Sequence, residues 1–453
     1  MDDDRSVPFV RVVVLDFNGG SMIVDSIGAL TRTKWPSGRV EIVCVDNGST
    51  DGSIETIERE FPAVRVIRNG GNLGFPGNNA ALRDLDDVSY VALVNSDAFV
   101  EPDWLTPLVE TAEADRGVGA VCPKILFAVP FGEVAVECLS SGKRTTPHVR
   151  LRAVSLNGVD VFGAAHVAGG GGRTSDRSGA FEVLSGNSVV RIPLSESGSG
   201  DAVSKVELEF ESAESCTLSM PGVNLPAFEL VAGERTKICV DVQMPPVDVL
   251  NNVGSWLDEH WAGHERGLHQ VENGQFDEGV EVGAWCGAAV LLRADYLSDV
   301  GLFDENYFLY YEDTDLSVRG RGRGWRYVTQ PLSVVRHVHS ASTIEGSEFA
   351  ETYIERNRLL LIGRHAPLMT VFTEHIRFVL VTASYARQSL REAVSSRSVP
   401  DLSRVRRRMR SLVGAVRLSR ASLRARRHSA RQRLLTTEEL RGQLFAGSKA
   451  PSS

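Results

Sequence analysis

The sequence predicts an α/β domain with a mostly parallel sheet, interrupted by an all-β module and followed by a helical region. Two observations support this class. Apolar strands alternate with amphipathic stretches before residue 127 and again after residue 247, and short alternating strands fill the part between them. We therefore predict four segments. They are an α/β half at 1–127, an inserted β-sandwich or jelly roll at 128–246, a second α/β half at 247–365 and a basic helical region at 366–453.

The first segment alternates strands with helices. Strands are predicted at VRVVVLDFN, EIVCVD, AVRVIRN and YVALVNSD, and helices at 22–33, 53–61 and 78–85. The strands read as nearly continuous apolar runs, which is typical of a parallel sheet covered by helices on both faces.

The second segment has almost no helical period. KVELEFES places Val206, Leu208 and Phe210 on one face of a strand and glutamates on the other, so a two-layer β structure is expected. The GGGG run at 169–172 is not followed by the helix and lysine of a phosphate loop. We interpret it as a flexible turn.

The helical end is strongly basic. Residues 404–433 contain twelve arginines and no Asp, Glu or Lys, although the whole chain has a net charge of −9. One interpretation is docking on an anionic membrane surface. The other is a pair of helices whose arginines neutralise the acidic body or a partner subunit. Nucleic acid is not expected as a partner, because aromatic residues do not interleave with the arginines.

The composition and the first residues indicate the cellular location that we expect. No run of about 18 apolar residues predicts a transmembrane helix, and the acidic start MDDDRSVPFV lacks the apolar core of a secretory signal. The six cysteines are scattered without zinc-like spacing. We expect a cytoplasmic protein with reduced thiols that associates with the inner face of the cell membrane.

Polar residues follow all four predicted strands of the first segment. Ligands of an open parallel sheet bind at the carboxyl ends of its strands. Any one such cluster can be a turn or a helix cap, but four in succession favour a binding site. The residues are Asp16 and Asn18, Asp46, Asn47 and Asp51, Asn69, Asn72 and Asn78, and Asn95 and Asp97.

The stretch YFLYYEDTDLSVRGRGRGW, residues 307–325, places Glu312, Asp313 and Asp315 directly behind aromatic rings. Aromatic neighbours remove water from a carboxylate and so tune its pKa. The alternative is that these acids only decorate a helix N-terminus, where the macrodipole favours negative charge.

Several motifs together resemble glycosyltransferase family 2, and more narrowly its bacterial rhamnosyltransferase-like branch. They are VVVLDFNGG, VCVDNGSTDGS, NLGFPGNNAAL, VNSDAFVEPDWL, the stretch from GAAVLLRADYL to RGRGRGW, and VRHVHSAS. The resemblance covers about 9–127 and 247–365. It implies a GT-A fold, a nucleotide-sugar donor, a divalent metal (Mg²⁺ or Mn²⁺) and inversion at the anomeric carbon.

The resemblance also implies roles for individual residues. Asp313 matches the catalytic base, with Glu312 beside it, and Asp97 and His337 match metal ligands. His339 is an alternative to His337, and NSD at 95–97 departs from the family's DxD pattern because Asn95 replaces the first acid. The implied donor-binding residues are Asp16, Asn18, Asp46, Asn72, Asn78 and Asn95, and the implied acceptor-binding residues are Trp285, Cys286 and Gly287.

The function predicted in this way is transfer of a sugar from a nucleotide-diphosphate donor to a hydroxyl of a cell-wall or surface glycan that is lipid-linked. The donor is dTDP-rhamnose or a UDP-sugar. One alternative is a catalytically weak sugar- or nucleotide-binding scaffold of the same fold. Another is a nucleotidyltransferase, which would need a basic phosphate loop after the first strand, and LDFNGGSMIVDS has no basic residue there.

Overall fold

The computed structural model describes residues 7–139, 149–176, 178–194, 203–338, 347–397 and 399–445. The amino-terminal α/β part contains six strands, four α-helices and a 3₁₀ turn. The strands are β1 Val10–Asp16, β2 Val40–Asp46, β3 Arg65–Arg68, β4 Tyr90–Asn95, β5 Ala98–Val100 and β6 Val118–Phe127. The helices are α1 Gly20–Leu30, α2 Ser53–Glu60, α3 Asn79–Leu82 and α4 Leu105–Ala114, and the 3₁₀ turn is Phe75–Asn78.

The following part of the chain consists of strands. They are β7 Phe131–Leu139, β8 Val149–Leu156, β9 Val159–Asp160, β10 His166–Ala168, β11 Gly172–Asp176, β12 Gly179–Leu184, β13 Asn187–Pro193, β14 Val203–Ser212, β15 Cys216–Ser219, β16 Phe228–Leu230 and β17 Arg235–Gln243. They form two antiparallel sheets, in the orders β10-β13-β7-β15-β16 and β11-β12-β8-β14-β17, with β9 paired to β8. Side chains of both sheets share one apolar core, which includes Val206, Leu208 and Phe210.

The α/β pattern then returns. Its elements are β18 Leu250–Asn252, β19 Ser255–Leu257, β20 Gly263–Glu265, β21 Ala289–Arg293, α5 Ala294–Val300, α6 Glu312–Gly322 and β22 Arg326–His337. The large sheet runs β3-β2-β1-β4-β21-β6-β22-β5, with β18 added to β6. Strands β1 to β4 are mutually parallel and β21 is antiparallel to its neighbours. Separate apolar clusters cover the two faces of this sheet.

The end of the described chain is helical. The helices are α7 Glu348–His365, α8 Leu368–Ser396, α9 Ser403–Arg417, α10 Ser419–Gln432 and α11 Thr437–Leu444. Helix α11 begins with a capping box between Thr436 and Glu439, which satisfies amide groups that have no partner inside the helix. The predicted fold class is confirmed: a mostly parallel α/β sheet, additional β sheets and a helical carboxyl-terminal region.

The structure differs from the predicted helix at 78–85. The chain there forms the 3₁₀ turn and then a helix of four residues. The Asn79 side chain donates to the Phe303 carbonyl at 2.9 Å and accepts from the Phe303 N–H at 3.1 Å. This contact over more than two hundred residues fixes the backbone in a way that local periodicity does not encode.

Many arginines of the basic segment bind protein groups. Arg407, Arg408 and Arg410 form ion pairs with Glu351, Glu355 and Glu348 of α7, respectively. The Arg426 guanidinium donates to the carbonyls of Gly363 and Ala366. These contacts support the interpretation that the arginines neutralise the acidic body.

No helix within the described ranges combines the length and the apolar character that crossing a bilayer requires.

Candidate functional site

Asp16 and Asp46 end the neighbouring parallel strands β1 and β2 and are paired in register. Asp16 is fully buried. Its Oδ1 accepts from the Gly19 N–H at 3.1 Å, and its Oδ2 accepts from the hydroxyls of Ser49 and Ser53 at 3.1 and 3.0 Å. Burial raises the pKa of the Asp16 carboxyl, and these hydrogen bonds, which lower the pKa, offset only part of that rise. Asp46 Oδ1 accepts from the Ser49 N–H at 2.7 Å, so one turn ties both carboxylates together.

Asn18 and Asn78 hold the loops around these strand ends. Asn18 adopts a left-handed backbone (φ 56°), and its Oδ1 accepts from the Thr50 N–H at 2.8 Å. The Asn78 side chain donates to the Phe75 carbonyl at 2.9 Å, across the 3₁₀ turn. The structure therefore gives both asparagines a loop-shaping contact, and their predicted contact with a nucleotide stays a prediction.

A second set of amides links the ends of β2 and β3. The Asn69 side chain donates to Asn47 Oδ1 at 2.8 Å, and the Asn47 side chain donates to the Gly74 carbonyl at 2.9 Å. Asn72 Oδ1 accepts from the Gly74 N–H at 2.9 Å. A Cβ on Gly77 would lie 2.4 Å from Asn47 Oδ1, so only glycine fits beside this network.

The predicted metal ligands lie together at the end of β22 and just beyond the end of β4. His337 Nε2 lies 3.0 Å from Asp97 Oδ1 and 3.4 Å from Asn95 Nδ2, and Asp97 and His337 are both buried. His337 Nδ1 lies 3.2 Å from Asn251 Oδ1. An amide oxygen only accepts, so Nδ1 carries a proton in this contact. His339 lies outside the described residues.

The side chains of Asp97 and His337 present ligand atoms that fit a divalent cation. With the His337 proton on Nδ1, the lone pair of Nε2 faces the Asp97 carboxylate. Two acceptors at this distance are stabilised by a cation between them or by a second proton on the ring. Carboxylate and amide oxygens with one imidazole suit Mg²⁺ or Mn²⁺. No group of three or more His, Cys, Asp or Glu side chains in metal-binding arrangement occurs in the described part of the chain.

Asp313 lies in the first turn of α6 with both carboxylate oxygens held. Its Oδ2 accepts from the Gly287 N–H at 3.0 Å, and its Oδ1 accepts from the Thr314 N–H at 2.5 Å and the Thr314 hydroxyl at 3.1 Å. Burial raises the pKa of the Asp313 carboxyl, and these hydrogen bonds oppose the rise. A carboxylate with a raised pKa is a better proton acceptor.

The neighbouring Glu312 differs from Asp313. It is buried, and its Oε2 has no hydrogen-bond partner. Burial, and then the charge of Asp313, raise the pKa of Glu312 well above its ordinary value. This shift favours the protonated, neutral form of Glu312 beside Asp313.

Asp315 is part of a structural network. It is fully buried and accepts from Arg364 at 2.8 Å, from Arg319 at 2.9 Å and from His365 at 2.8 Å. The nearby guanidinium groups hold the pKa of the Asp315 carboxyl well below its usual range, against the effect of burial. Of the three acids in the motif, Asp315 fastens α6 to α7.

A short series of hydrogen bonds connects Asp313 with the residues Asp97 and His337. The Asn95 N–H donates to the Ala288 carbonyl at 2.9 Å, and the preceding Gly287 donates to Asp313. The Asn95 side chain reaches His337 on the other side. The structure thus brings Asp313, Asp97 and His337 to the end of the large sheet at which β1 and β2 also terminate.

The predicted acceptor residues have three different environments. Trp285 is fully buried, and its ring packs edge-on against Phe303 at 6.2 Å. Cys286 is half-buried, and burial, followed by the charges of Glu265 and Asp313, raises the pKa of its thiol. A Cβ on Gly287 would lie 2.8 Å from the Phe75 ring, so the space beside Gly287 holds that ring.

The aromatic run before Asp313 has a strained backbone. Phe308, Tyr310 and Tyr311 all have left-handed φ values, of 63°, 66° and 70°. Such residues cost about 1–3 kcal/mol each and persist only where the surroundings impose them.

Sequence reasoning missed the residue that imposes this conformation. Asn357 of α7 is fully buried and its side chain donates to the carbonyls of Tyr307, Leu309 and Tyr310 at 2.9, 2.8 and 2.7 Å. An asparagine within an otherwise apolar helical face is the only signal in the sequence, and it does not identify its partners.

Sequence reasoning also missed the hairpin formed by β19 and β20. The Gly263 N–H donates to the Tyr311 hydroxyl at 3.2 Å, and Ser255 pairs with Ala284. Trp256, which is half-buried, stacks on the exposed ring of His264 with centroids 4.4 Å apart. The hairpin therefore places an aromatic platform beside the segment that carries Trp285 and Cys286.

This chain resembles a known protein family and several known proteins. The family described as "Glycosyl transferase family 2" matches residues 12–132, which include β1, β2, β4 and Asp97. The match to glycosyl transferase family 2 is confined to the first α/β part of the chain. The matched segment contains the ends of β1, β2 and β4, whereas Asp313 and His337 lie in the second α/β part.

Two curated relatives match part of the chain. Glycosyltransferase AglE of Haloferax volcanii is 27% identical over 137 residues, which are 29% of this chain and 44% of the relative. N-acetylglucosaminyl-diphospho-decaprenol L-rhamnosyltransferase of Mycobacterium tuberculosis is 36% identical over 87 residues, which are 19% of this chain and 28% of the relative. The chain thus spans less than half the length of either relative.

Among solved structures, the mannosyltransferase PcManGT from Pyrobaculum calidifontis in complex with GDP-Man and Mn²⁺ is 13% identical. The match covers 91% of this chain and 87% of that one, with a TM-score of 0.39.

Proposed function

We propose that the chain is an inverting glycosyltransferase that transfers a sugar from a nucleotide diphosphate to a glycan hydroxyl, with Asp313 as the general base. The observation that carries the proposal is the placement of Asp313. Its carboxylate is half-buried, held by Gly287, and joined through Ala288 and Asn95 to the Asp97–His337 corner.

The donor would lie across the carboxyl ends of β1, β2 and β4. Asp46 is suited to the base, because a carboxylate accepts from ring N–H groups. Asp16, which is fully buried, would support the donor site by holding Ser49 and Ser53 of the adjoining turn. Asp97 and His337 would hold a divalent cation, which would neutralise the charge that develops on the departing diphosphate.

In the transfer step, an acceptor hydroxyl oxygen forms a bond to the anomeric carbon, and its proton passes to the Asp313 carboxylate. The bond from the anomeric carbon to the phosphate oxygen breaks, and its electron pair leaves with the nucleoside diphosphate. A single displacement with one base inverts the configuration at that carbon. The raised pKa of Asp313 brings its basicity closer to that needed near neutral pH.

The finer assignments rest on likeness. A rhamnosyl donor and a lipid-linked acceptor are the chemistry named in the M. tuberculosis relative, and we extend both to this chain as proposals. The Trp256–His264 stack offers a flat surface on which an acceptor sugar ring would pack. Screening dTDP-rhamnose and UDP-sugars for thermal stabilisation with Mn²⁺ would identify the donor.

The test of the base is Asp313→Asn. We expect the rate of sugar transfer to fall by about 10²- to 10⁴-fold, while donor affinity measured by calorimetry stays close to that of the parent. The exposed Asp295, changed to Asn, is the matched control and should transfer at the parent rate. An Asp313→Asn variant that folds and transfers sugar as fast as the parent would overturn the assignment.

A further inference from the structure

Helix α8 has an apolar face that no described residue covers. This helix of 29 residues packs through one side only, where Phe378, Thr382 and Ala393 are buried. Large apolar side chains are exposed on the opposite side, and examples are Phe372 at 62% and Val394 at 81%. The exposed apolar residues are Leu368, Met369, Phe372, Ile376, Val379, Leu380, Leu390 and Val394. We call this set the α8 stripe.

The α8 stripe has two parts on one side of the helix. Leu368 to Leu380 recur at intervals of one, three or four residues, and Leu390 and Val394 follow ten residues later on the same side. From Leu368 to Val394 the stripe is about 39 Å long at 1.5 Å per residue. A soluble surface rarely exposes an apolar patch of this extent without a binding partner.

The charges around the stripe are positive. Arg387 precedes Val394 by seven residues and Arg391 follows Leu380 by eleven, so both lie on or beside the stripe. Of the two acids on α8, Glu374 is buried in a contact with His260 and an ion pair with Arg358, which leaves Glu392 as the exposed one.

Helix α9 repeats the composition on its own outer face. Met409, Val413 and Val416 are exposed at intervals of four and three residues, with Arg406 and Arg417 exposed nearby. These two arginines form no ion pair with the described residues, in contrast to Arg407 and Arg408.

We propose that the α8 stripe docks on an anionic lipid bilayer, with the helix lying in the plane of the membrane interface. An apolar face bordered by arginines is the pattern of interfacial helices, which bury the apolar side chains among acyl chains and pair the cations with lipid phosphates. The helix lies on the bilayer, since no described helix can cross one.

A second copy of the chain is the competing occupant. A two-fold contact brings the same surface of both copies together. Stripe against stripe would enclose Arg387 and Arg391 of both copies in one contact, with Glu392 as the one exposed acid on each α8 to offset them. Anionic phosphates complement the same arginines, so charge favours the membrane.

Docking in this way would bring the active site to the membrane. Glu374 on α8 binds His260 of the β19–β20 hairpin at 3.0 Å and Arg358 of α7 at 3.1 Å. The same hairpin contacts Tyr311, next to the proposed base. The α8 stripe and the acceptor side of the site thus belong to one connected body, which suits a lipid-linked acceptor if the proposed function holds.

The experiment is flotation of the full chain with vesicles, which measures binding without turnover. One vesicle is phosphatidylcholine, and the other contains phosphatidylglycerol as about one third of its lipid. We expect binding to the anionic vesicle, weakened at high salt because exposed charges are screened. Phe372→Gln with Leu380→Gln should lower the partition coefficient about tenfold or more, and Arg387→Gln with Arg391→Gln should remove most of the preference for anionic lipid.

The matched control is Val159→Gln with Leu332→Gln, two exposed apolar residues far from α8 in the sequence, at 64% and 80% exposure. This variant should bind vesicles like the parent, and all variants should melt cooperatively. Absence of parent binding to anionic vesicles, or equal binding by the stripe variant, overturns the proposal. So does a parent dimer in light scattering that the stripe variant converts to monomer, because the stripe is then a contact between copies. Each result is independent of whether Asp313 is the base.

Discussion

Asp97 and His337 face each other at 3.0 Å with the His337 ring oriented by Asn251. A cation at this corner would explain why two acceptor groups are held so close. We expect sugar transfer to need Mn²⁺ or Mg²⁺ and to stop with a chelator. His337→Gln should raise the Mn²⁺ concentration for half-maximal activity, and the calorimetric Kd for Mn²⁺, by about 10- to 100-fold.

His428, which is exposed on α10, is the matched control for this change. His428→Gln should keep the parent dependence on Mn²⁺. Unaltered Mn²⁺ binding by His337→Gln would show that the imidazole serves only to hold Asp97 in place.

Glu312 makes protein stability depend on pH. Its folded-state pKa is raised by burial, so the folded protein keeps a proton that the unfolded chain releases above about pH 4.3. Its stabilising contribution is complete below that pH and is lost as pH rises towards the folded-state pKa. Because glutamine does not titrate, Glu312→Gln removes this loss of stability at rising pH. We expect the variant to gain stability relative to the parent with rising pH, by up to about 1.4 kcal/mol per pH unit.

Urea unfolding at several pH values measures this gain. Glu110, which is exposed on α4, provides the comparison, and Glu110→Gln should show no such trend. A constant difference between Glu312→Gln and the parent across the pH range would contradict a neutral Glu312 in the folded state.

At the scale of single residues, sequence predicts where polar groups end apolar strands, because that pattern is local. Asp16, Asp46 and Asn95 were placed at strand ends in this way, and the structure puts them there. Sequence alone does not distinguish the proposed base, Asp313, from Asp315, which belongs to a structural network. Besides Arg319, four residues away, the partners of the buried Asp315 carboxylate are Arg364 and His365, about fifty residues further along the chain.

At the scale of elements, the contact of α7 with the aromatic loop sets the start of α6. Asn357 supplies the donors for three loop carbonyls, and Asn357→Asp would replace them with a carboxylate facing carbonyl oxygens. We expect about 2–4 kcal/mol of lost stability. We also expect kcat to fall, by up to about tenfold, because Asp313 directly follows the loop that Asn357 holds.

Donor affinity should change little in Asn357→Asp, because the donor side is built from other strand ends. Asn273→Asp, at an exposed position, serves as the control and should match the parent in melting temperature and kcat. Parent kcat in a destabilised Asn357→Asp variant would show that the loop does not position the base.

Element prediction from sequence succeeded where burial follows a simple period. The strand KVELEFES alternates as predicted, with Val206, Leu208 and Phe210 fully buried. The exposed α8 stripe was not predicted, because its apolar period is the same as that of a helix packed in a core. Whether a helical face is covered depends on the other elements, which local sequence does not specify.

At the scale of the whole molecule, the β-rich part enters and leaves the α/β domain at one point. Phe131 and Val247 form an antiparallel pair, with N–H to carbonyl distances of 2.9 Å in both directions. Paired ends can be joined by a two-residue turn. We therefore propose that the inserted sandwich is a separable unit, and that replacing residues 132–246 with Asn-Gly leaves the large sheet folded.

This deletion removes contacts between the two parts, among them a hydrogen bond from Arg191 to the His269 carbonyl and a ring stack. His166 of the sandwich stacks on His269 at 4.2 Å and on Phe127 at 5.6 Å. Exposing these rings should lower the melting temperature by several degrees, since about 1 kcal/mol shifts a domain of this size by about 2–4 °C. Thermal stabilisation by the donor and Mn²⁺ should persist, because Asp46, Asp97 and His337 all lie on the large sheet or at its edge.

Circular dichroism and donor-dependent melting measure both expectations in one preparation. A change to Gln at His166 alone, in the full chain, separates loss of the ring contact from loss of the sandwich. If the deletion variant fails to melt cooperatively while His166→Gln melts like the parent, the sandwich is required for folding of the large sheet. If it melts cooperatively but donor stabilisation is lost, the sandwich shapes the donor site, and the active site then depends on both parts of the chain.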